Sequence, residues 1–355
     1  KMLKVLDLCI ECKSCKSECP ANVDMAKIKY EFLNNYYKKH KTPLRSKLVG
    51  SVPTLYKFIA GPQAHIFNIA NKLPFTKILT EKIIGIHKNR KMPVISTYTF
   101  ESWFKKRVSN SSKSRGKILF FHDTHINYIH PEVGKAAVKV LEAAGYEVEI
   151  TDRKCCGRTM ISKGFLDDAK KNVDYNTTLL YKYVKKGIKI VGVEASCVST
   201  MQDEFPDLAE DKEKAKKISE NTFTIQDVLM QIQNDDAQQI KWNSTNKDLL
   251  LFVHCHERAL NGTNNSLGSL NLPNEYNAKL IDAGCCGMAG SFGMEKEHYD
   301  ISKKMAEDRL LPSIKNSKKD QEIIVTGISC HDQINDLSNK KPKYLVEVLA
   351  EAIES

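Results

Sequence analysis

Gly284-Cys-Cys-Gly-Met-Ala-Gly-Ser-Phe-Gly293 and, 130 residues earlier, Cys155-Cys-Gly-Arg-Thr-Met-Ile-Ser-Lys-Gly164 each hold two adjacent cysteines followed by glycine. The sequence around the pairs repeats as well. Phe121-His-Asp-Thr-His125 aligns with Phe252-Val-His-Cys-His256, and Val191-Gly-Val-Glu-Ala-Ser-Cys197 aligns with Thr326-Gly-Ile-Ser-Cys330 after a two-residue gap. From Thr124 to Cys155 is 31 residues and from Cys255 to Cys285 is 30; from Cys156 to Cys197 is 41 and from Cys286 to Cys330 is 44. Self-similarity at matched offsets reads as a duplicated domain.

Each copy follows a strand, helix, strand grammar. Residues 117–121 are an apolar run of strand length, 132–144 has helical period and stops at Gly145, and 146–150 alternates as a strand. A long polar helix over 166–185, strands over 188–193, 249–253 and 323–326, and a closing helix over 343–353 continue the pattern. Strands alternating with helices predict an α/β protein with parallel sheets covered by helices. Four segments are expected: a cysteine-bearing segment over 1–30 that begins a helix at 24–36, a basic helical connector over 31–114, a first cysteine-rich domain over 115–235 and a second over 246–355. Pro43, Pro53, Pro62, Pro74 and Pro93 break the connector, which ends in Ser109-Asn-Ser-Ser-Lys-Ser114.

The first segment carries Cys9, Cys12, Cys15, Cys19 and Pro20, the spacing C-x2-C-x2-C-x3-C-P of a ferredoxin-type [4Fe–4S] site. Two-residue gaps let successive thiolates converge on one cube while the proline turns the chain away; structural zinc usually needs two separated pairs. In two-cluster ferredoxins the fourth cysteine serves the other cluster, and no second such triple exists here. Either Cys19 closes a single cube, or a longer polypeptide places its first triple before Lys1. No strand or helix is expected ahead of Cys9, which favours truncation.

The remaining cysteines fall at strand or loop ends, where the tips of a parallel sheet gather ligands. The second repeat offers Cys255, Cys285, Cys286 and Cys330, enough for an iron–sulfur cluster or a closed zinc site. A vicinal pair hardly reaches one metal without strain, which favours the cluster. Gly284, Gly287, Gly290 and Gly293 would expose backbone N–H groups to the sulfurs. The first repeat has Thr124 in place of Cys255, leaving Cys155, Cys156 and Cys197, with Asp123, His122 and His125 as replacement ligands for zinc or a single iron. The alternative is a repeat that has lost its metal and kept a scaffold role. Of ten histidines, His122, His125, His254, His256 and His331 lie within two residues of these motif positions, with His130 close behind. Imidazoles there can ligate metal, hydrogen-bond sulfur or pass protons. Nucleophilic Cys–His chemistry explains the pairing of the cysteine loci across the repeat less well.

The 355 residues are 41% apolar and no uninterrupted apolar stretch reaches membrane-span length, so a soluble chain is expected. Nothing at the N-terminus resembles a signal peptide, and eleven cysteines clustered by motif argue for thiolate ligands in a reducing cytoplasm rather than disulfides. The net charge of +11 is local: residues 26–118 carry 20 Lys and Arg against Glu31, Glu81 and Glu101, which is +17, leaving −6 for the rest. No recognition-helix signature or aromatic stacking set accompanies this basicity, so no nucleic-acid partner is expected. Leu55, Phe58, Ile59, Ile66, Phe67, Phe75 and Ile78 interleave with the cations, as in amphipathic helices on the anionic inner face of a membrane. A connector packed on its neighbours, with solvated Lys and Arg, is the simpler expectation.

With Leu6-Asp-Leu-Cys-Ile-Glu-Cys-Lys-Ser-Cys-Lys-Ser-Glu-Cys-Pro-Ala-Asn-Val-Asp-Met-Ala26 added to the two Cys-Cys-Gly stretches, the chain resembles the C-terminal part of bacterial FAD-linked oxidases. Those proteins, such as D-2-hydroxyglutarate and D-lactate dehydrogenases, join a flavin domain, a ferredoxin-type segment and two CCG domains. CCG domains also occur in iron–sulfur subunits of glycolate oxidase and anaerobic glycerol-3-phosphate dehydrogenase, and in heterodisulfide reductase. The resemblance implies that a D-2-hydroxyacid is oxidised at FAD, held in an upstream domain or a partner subunit. Electrons then pass through [4Fe–4S] centres, with a second iron–sulfur cluster or Zn in the CCG domains, to a quinone or carrier acceptor. A heterodisulfide-reductase-like thiol–disulfide reductase and a membrane-docking scaffold are the competing classes. Thr124 departs from the pattern and puts a complete first-repeat cluster in doubt.

Overall fold

The computed structural model describes residues 1–109, 115–232 and 240–354. Apart from Ser109, the serine-rich end of the connector lies outside the described residues, as does part of the expected boundary at 235–246.

Among the described residues, eight short strands build two parallel sheets. β1 (Lys117–Phe120), β2 (Glu147–Glu149), β3 (Ile190–Gly192) and β4 (Thr222–Thr224) form one in the order β2-β1-β3-β4. β5 (Lys247–Phe252), β6 (Tyr276–Leu280), β7 (Glu322–Val325) and β8 (Lys343–Tyr344) form the other in the order β6-β5-β7-β8, so the duplication holds in three dimensions. Central strands such as Lys-Ile-Leu-Phe and Glu-Ile-Ile-Val are apolar beyond their first residue because helices cover both faces. β4 and β8 went unforeseen: they are edge strands of three and two residues, too short to show alternation. β6 carries Asn277 and Lys279 on its exposed side, which masks it. Because Lys343-Tyr344 pairs with β7, the closing helix begins at Leu345 rather than 343, with Tyr344 and Glu347 in a capping box.

One apolar cluster runs through both repeats. The helices Pro131–Ala143 and Leu345–Ala352 pack together, joining Phe120, Val138 and Leu141 to Leu251, Val348 and Leu349. Burying one such side chain is worth about 1.5–3 kcal/mol.

The connector is more embedded than its charge suggests. Pro53 and Pro74 sit in the first turns of the helices Val52–Ile59 and Pro74–Ile83, where a missing N–H is harmless, so these prolines start helices. Phe100 inserts into the first repeat so closely that a Cβ on Gly134 would lie 2.5 Å from its ring. Arg90, 2% exposed, donates to the Gly293 carbonyl at 2.7 Å, to Gln333 at 2.7 Å and to Ser302 at 2.8 Å. Not all of these cations are merely solvated. Phe58, Ile66, Phe75 and Ile83 nevertheless remain exposed. The helix Met2–Asp7 precedes Cys9, against expectation; it buries Leu6 alone and so shows no apolar period.

Candidate metal centre

The strand order brings β1 beside β3 and β5 beside β7, the switch point at which doubly wound sheets hold ligands beyond their carboxyl ends. Thr124 and Cys255 each open a short helix after the first strand of their repeat, Thr124–Tyr128 and Cys255–Leu260. The Cys-Cys-Gly turns follow β2 and β6. Cys197 lies in the helix Ala195–Ser199 after β3, and Cys330 in Ile328–Leu337 after β7. The three loci of each repeat therefore meet, as their places at strand and loop ends predicted.

In the second repeat thiol contacts run from Cys255 to Cys285, to Cys286 and on to Cys330. Gly287 has φ +88°, which turns its N–H back to Cys285 Sγ at 3.4 Å; a Cβ there would lie 2.3 Å from the Ser302 carbonyl oxygen. Gly157 does the same for Cys155 at 3.5 Å with φ +93°. The other flanking glycines do not match the expectation among the hydrogen bonds seen: Gly290 donates to Ser329 and Gly293 to the Met288 carbonyl.

The neighbouring Cys285 thiol and burial push Cys255 well above the ordinary thiol range. Four crowded, buried thiols cannot ionise together unaided, and a positively charged iron core shared among them removes that penalty, so the donor set fits an iron–sulfur cluster. Among the described residues, three Cys, His, Asp or Glu ligand atoms lie mutually within 4.8 Å only at His130, His331 and Asp332. The cysteines therefore meet in close pairs, whereas three sulfurs on one tetrahedral zinc would stand mutually about 3.8 Å apart.

The first repeat brings Cys156 Sγ to 3.1 Å from Cys197 Sγ, with the Thr124 hydroxyl buried close to Cys155 and, among the described residues, without a hydrogen-bond partner. Asp123 is occupied as a helix cap, accepting from the His125 and Ile126 N–H groups at 2.8 and 3.2 Å; its other oxygen is buried without a partner among the described residues. His122 packs on the Phe100 ring, and burial drives its pKa well below the usual range. His125 lines a cavity shared with Cys9 and Cys255.

Around the N-terminal run, Glu11, Lys13 and Asn22 adopt positive φ without being glycine, a strained loop that wraps the four half-buried cysteines. The Met25 N–H reaches Cys15 Sγ at 3.4 Å, and the N–H groups of Val23, Ala21 and Asn22 hold the Cys19 thiol below its ordinary value. Such amide donors stabilise negative sulfur, so this segment fits a cluster too. Buried Lys13 fixes the segment on the first repeat, 2.5 Å from Asp203 and 2.6 Å from Glu204. Lys27 adds Asp203 at 3.0 Å and Asp207 at 2.6 Å, and Arg158 meets Glu204 at 3.0 Å. Burial opposes ionisation of Asp203, yet Lys13, Lys16 and Lys27 hold its carboxyl far below the usual range.

His256 ties all three parts together. Its Nε2 donates to the Glu11 carbonyl at 2.7 Å and its Nδ1 accepts from the Ser199 hydroxyl at 3.1 Å, an assignment that follows because a carbonyl only accepts. Both nitrogens are occupied, which leaves neither for metal. Cys12 is near enough to Cys255 for its charge to raise that thiol, and the cavity that Cys9 and Cys255 line measures about 260 Å³. His254 caps its helix by accepting from the His256 N–H at 3.2 Å, and burial brings its pKa to about 4. His331 pairs with Asp332 at 3.2 Å.

Glu194 was overlooked as a site residue. It lies 2% exposed between the sheets, accepting from Ser196 on its own repeat and from the Ile328 N–H at 2.8 Å on the other. The signal was available as the one charged residue inside Val191-Gly-Val-Glu-Ala-Ser-Cys197. Its counterpart segment is two residues shorter, and Gly327 clears the space: a Cβ there would stand 3.3 Å from Glu194 Oε1.

Residues 119–202 and 249–335 match the cysteine-rich domain family CCG. Over 339 residues the chain is 28% identical to one of the subunits of anaerobic glycerol-3-phosphate dehydrogenase from Escherichia coli K12, covering 93% of this chain and 81% of that one. It is 25% identical to the D-2-hydroxyglutarate dehydrogenase of Haemophilus influenzae over 98% of this chain but 35% of that protein, so it spans about a third of that relative. Lactate utilization protein A of Bacillus subtilis is 26% identical over 55% of this chain and 81% of its own length. Among the described residues no helix is long and apolar enough to cross a membrane. The chain carries two CCG cysteine-rich domains in tandem and is homologous to components of oxidoreductases that act as dehydrogenases.

Proposed function

We propose that the chain is the iron–sulfur electron-transfer part of a FAD-linked dehydrogenase, with the flavin in a preceding domain or a partner subunit and a 2-hydroxyacid or similar alcohol as substrate. Cys9, Cys12, Cys15 and Cys19 would hold one [4Fe–4S] cluster in segment 1–30, and Cys255, Cys285, Cys286 and Cys330 a second iron–sulfur cluster in the domain over 246–355. Cys155, Cys156 and Cys197 form an incomplete set in the domain over 115–235, suited to a smaller metal load or to none. The observation that carries this reading is the seat of the N-terminal loop on the second repeat through His256 and Glu11, which sets Cys12 beside Cys255. When bound, such clusters accept and release single electrons at a potential set by their surroundings. The chain's own groups supply that setting: Gly287 and Gly157 donate N–H to sulfur, Lys13 and Arg158 place buried positive charge near the loop, and the protein wall excludes water. The acceptor would be a quinone or a carrier protein.

The test is anaerobic reconstitution of the full chain, with iron and sulfide analysis and EPR. Two [4Fe–4S] centres give about eight iron and eight sulfide per chain, with spectra broadened by magnetic interaction between neighbours. Colourless, sulfide-free protein would overturn the reading.

A membrane contact is favoured by one observation. The helices Val52–Ile59, Ala64–Lys72 and Pro74–Ile83 expose Phe58 at 72%, Ile66 at 75% and Phe75 at 63% among lysines. Flotation with anionic vesicles at low salt checks it; recovery wholly in the soluble fraction removes it.

A further inference from the structure

We propose that His130, His331 and Asp332 form a binding site for a divalent ion of the zinc class that clasps the two repeats together. His130 belongs to the first repeat, as N-cap of the helix Pro131–Ala143; His331 and Asp332 belong to the second, on the helix Ile328–Leu337. One ligand atom from each lies within 4.8 Å of the others.

The separations are those of a coordination shell. Two imidazoles on one tetrahedral zinc, at Zn–N distances of about 2.0–2.1 Å, place their ring centres roughly 5 Å apart and adjacent ligand atoms roughly 3.3 Å apart. The rings of His130 and His331 are 5.1 Å apart at 68°, and His331 Nδ1 stands 3.2 Å from Asp332 Oδ1. The second observation is independent: His130 Nε2 is buried and, among the described residues, has no hydrogen-bond partner. Buried polar atoms left unmatched are rare in proteins, and one beside an imidazole and a carboxylate points to a missing ligand. Packing against Tyr344, whose ring lies 5.5 Å from His130 and 5.4 Å from His331, accounts for the ring positions but not for that nitrogen.

Two imidazoles and a carboxylate suit zinc, and three protein ligands leave a fourth position for solvent. Without metal an Nδ1–H of His331 bridges to Asp332; on binding the neutral ring carries its one proton on Nε2 instead, and the Nδ1 lone pair and the Asp332 oxygen then both face the cation. Asp332 also lines the cavity that holds Cys9 and Cys255, so the clasp sits at the wall of the proposed electron-transfer site without sharing its cysteines.

The test uses anaerobic, cluster-loaded full-length protein, given Zn²⁺, freed of excess, and analysed for zinc, iron and sulfide. The expected result is about one zinc per chain, with retention falling at least tenfold in His130→Gln and in Asp332→Asn while iron and sulfide stay constant. Zinc should raise the thermal midpoint of the wild type and leave both variants unmoved. Asp332→Asn changes a partly exposed side chain and keeps the test valid if His130→Gln folds poorly. Failure of the wild type to retain zinc, or equal retention by the variants, overturns the proposal.

Discussion

The two repeats share a sheet order and a Cys-Cys-Gly turn, yet they differ at three matched places. Where the second has Cys255 the first has Thr124; where the second caps its short helix with His254 the first uses Asp123; and where the first inserts Glu194 the second narrows to Gly327. The features that shape the cradle are kept in both: the positive-φ glycine and its N–H to sulfur. What differs is the fourth residue of the proposed ligand set. On the proposed reading, the fold preserves the geometry of the cradle in both repeats while only the second has the thiol that would complete it.

The sharpest way to break that comparison is to exchange the residue. Cys255→Thr should remove the second-repeat cluster, lowering iron from about eight to about four per chain, whereas Thr124→Cys should raise the iron content of the first. If Cys255→Thr keeps its full iron content, the asymmetry does not lie in the fourth ligand. If Thr124→Cys binds no more iron, Asp123 or His122 blocks the first site independently of the missing thiol.

A smaller effect separates the two glycines. Alanine at either position meets a positive φ that costs about 1–2 kcal/mol. At Gly157 the added carbon meets Ala169 Cβ at 3.5 Å and Ile161 Cδ1 at 3.7 Å, both ordinary contacts; at Gly287 it lies 2.3 Å from a backbone carbonyl oxygen that must move. Gly287→Ala should lower the melting temperature more than Gly157→Ala and loosen the iron of the second repeat alone. Equal losses would show that the turn's dihedral, rather than its close packing on residue 302, makes glycine necessary.

Much of this was legible in the chain because it is written in periodicity and in cysteine spacing. Parallel central strands are buried on both faces and read as apolar runs, and matched offsets announced the duplication before any strand was seen. Three strands stayed hidden for a physical reason: β4 and β8 are edges of two or three residues, and β6 is half exposed, so tertiary pairing decides them. The cysteine loci were found, but the histidines were read too uniformly. A histidine near a cysteine can cap a helix, as His254 does, bridge backbone and hydroxyl, as His256 does, or pack on phenylalanine, as His122 does, and spacing does not separate these uses. Glu194 escaped because its importance lies in what it meets across the interface.

That interface supplies the finest test of the asymmetry. Burial, and then the charge of Asp123, pushes the Glu194 carboxyl from 4.5 up to about 8. Between those values the unfolded chain is ionised and the folded one is not, so folding takes up a proton. The contribution of Glu194 is fully present below pH 4.5 and is lost as pH rises through about 8. In Glu194→Gln the urea midpoint of anaerobic holoprotein should fall at pH 5 by an amount equivalent to about 1 kcal/mol, since the amide cannot accept from both Ser196 and Ile328. Its slope between pH 5 and 8 should nonetheless be flatter than in the wild type. A matched change at the other repeat has no counterpart to titrate, because Gly327 stands there. Should the two slopes coincide, Glu194 is ionised in the folded state, and the three donors that surround it, rather than its burial, set its charge.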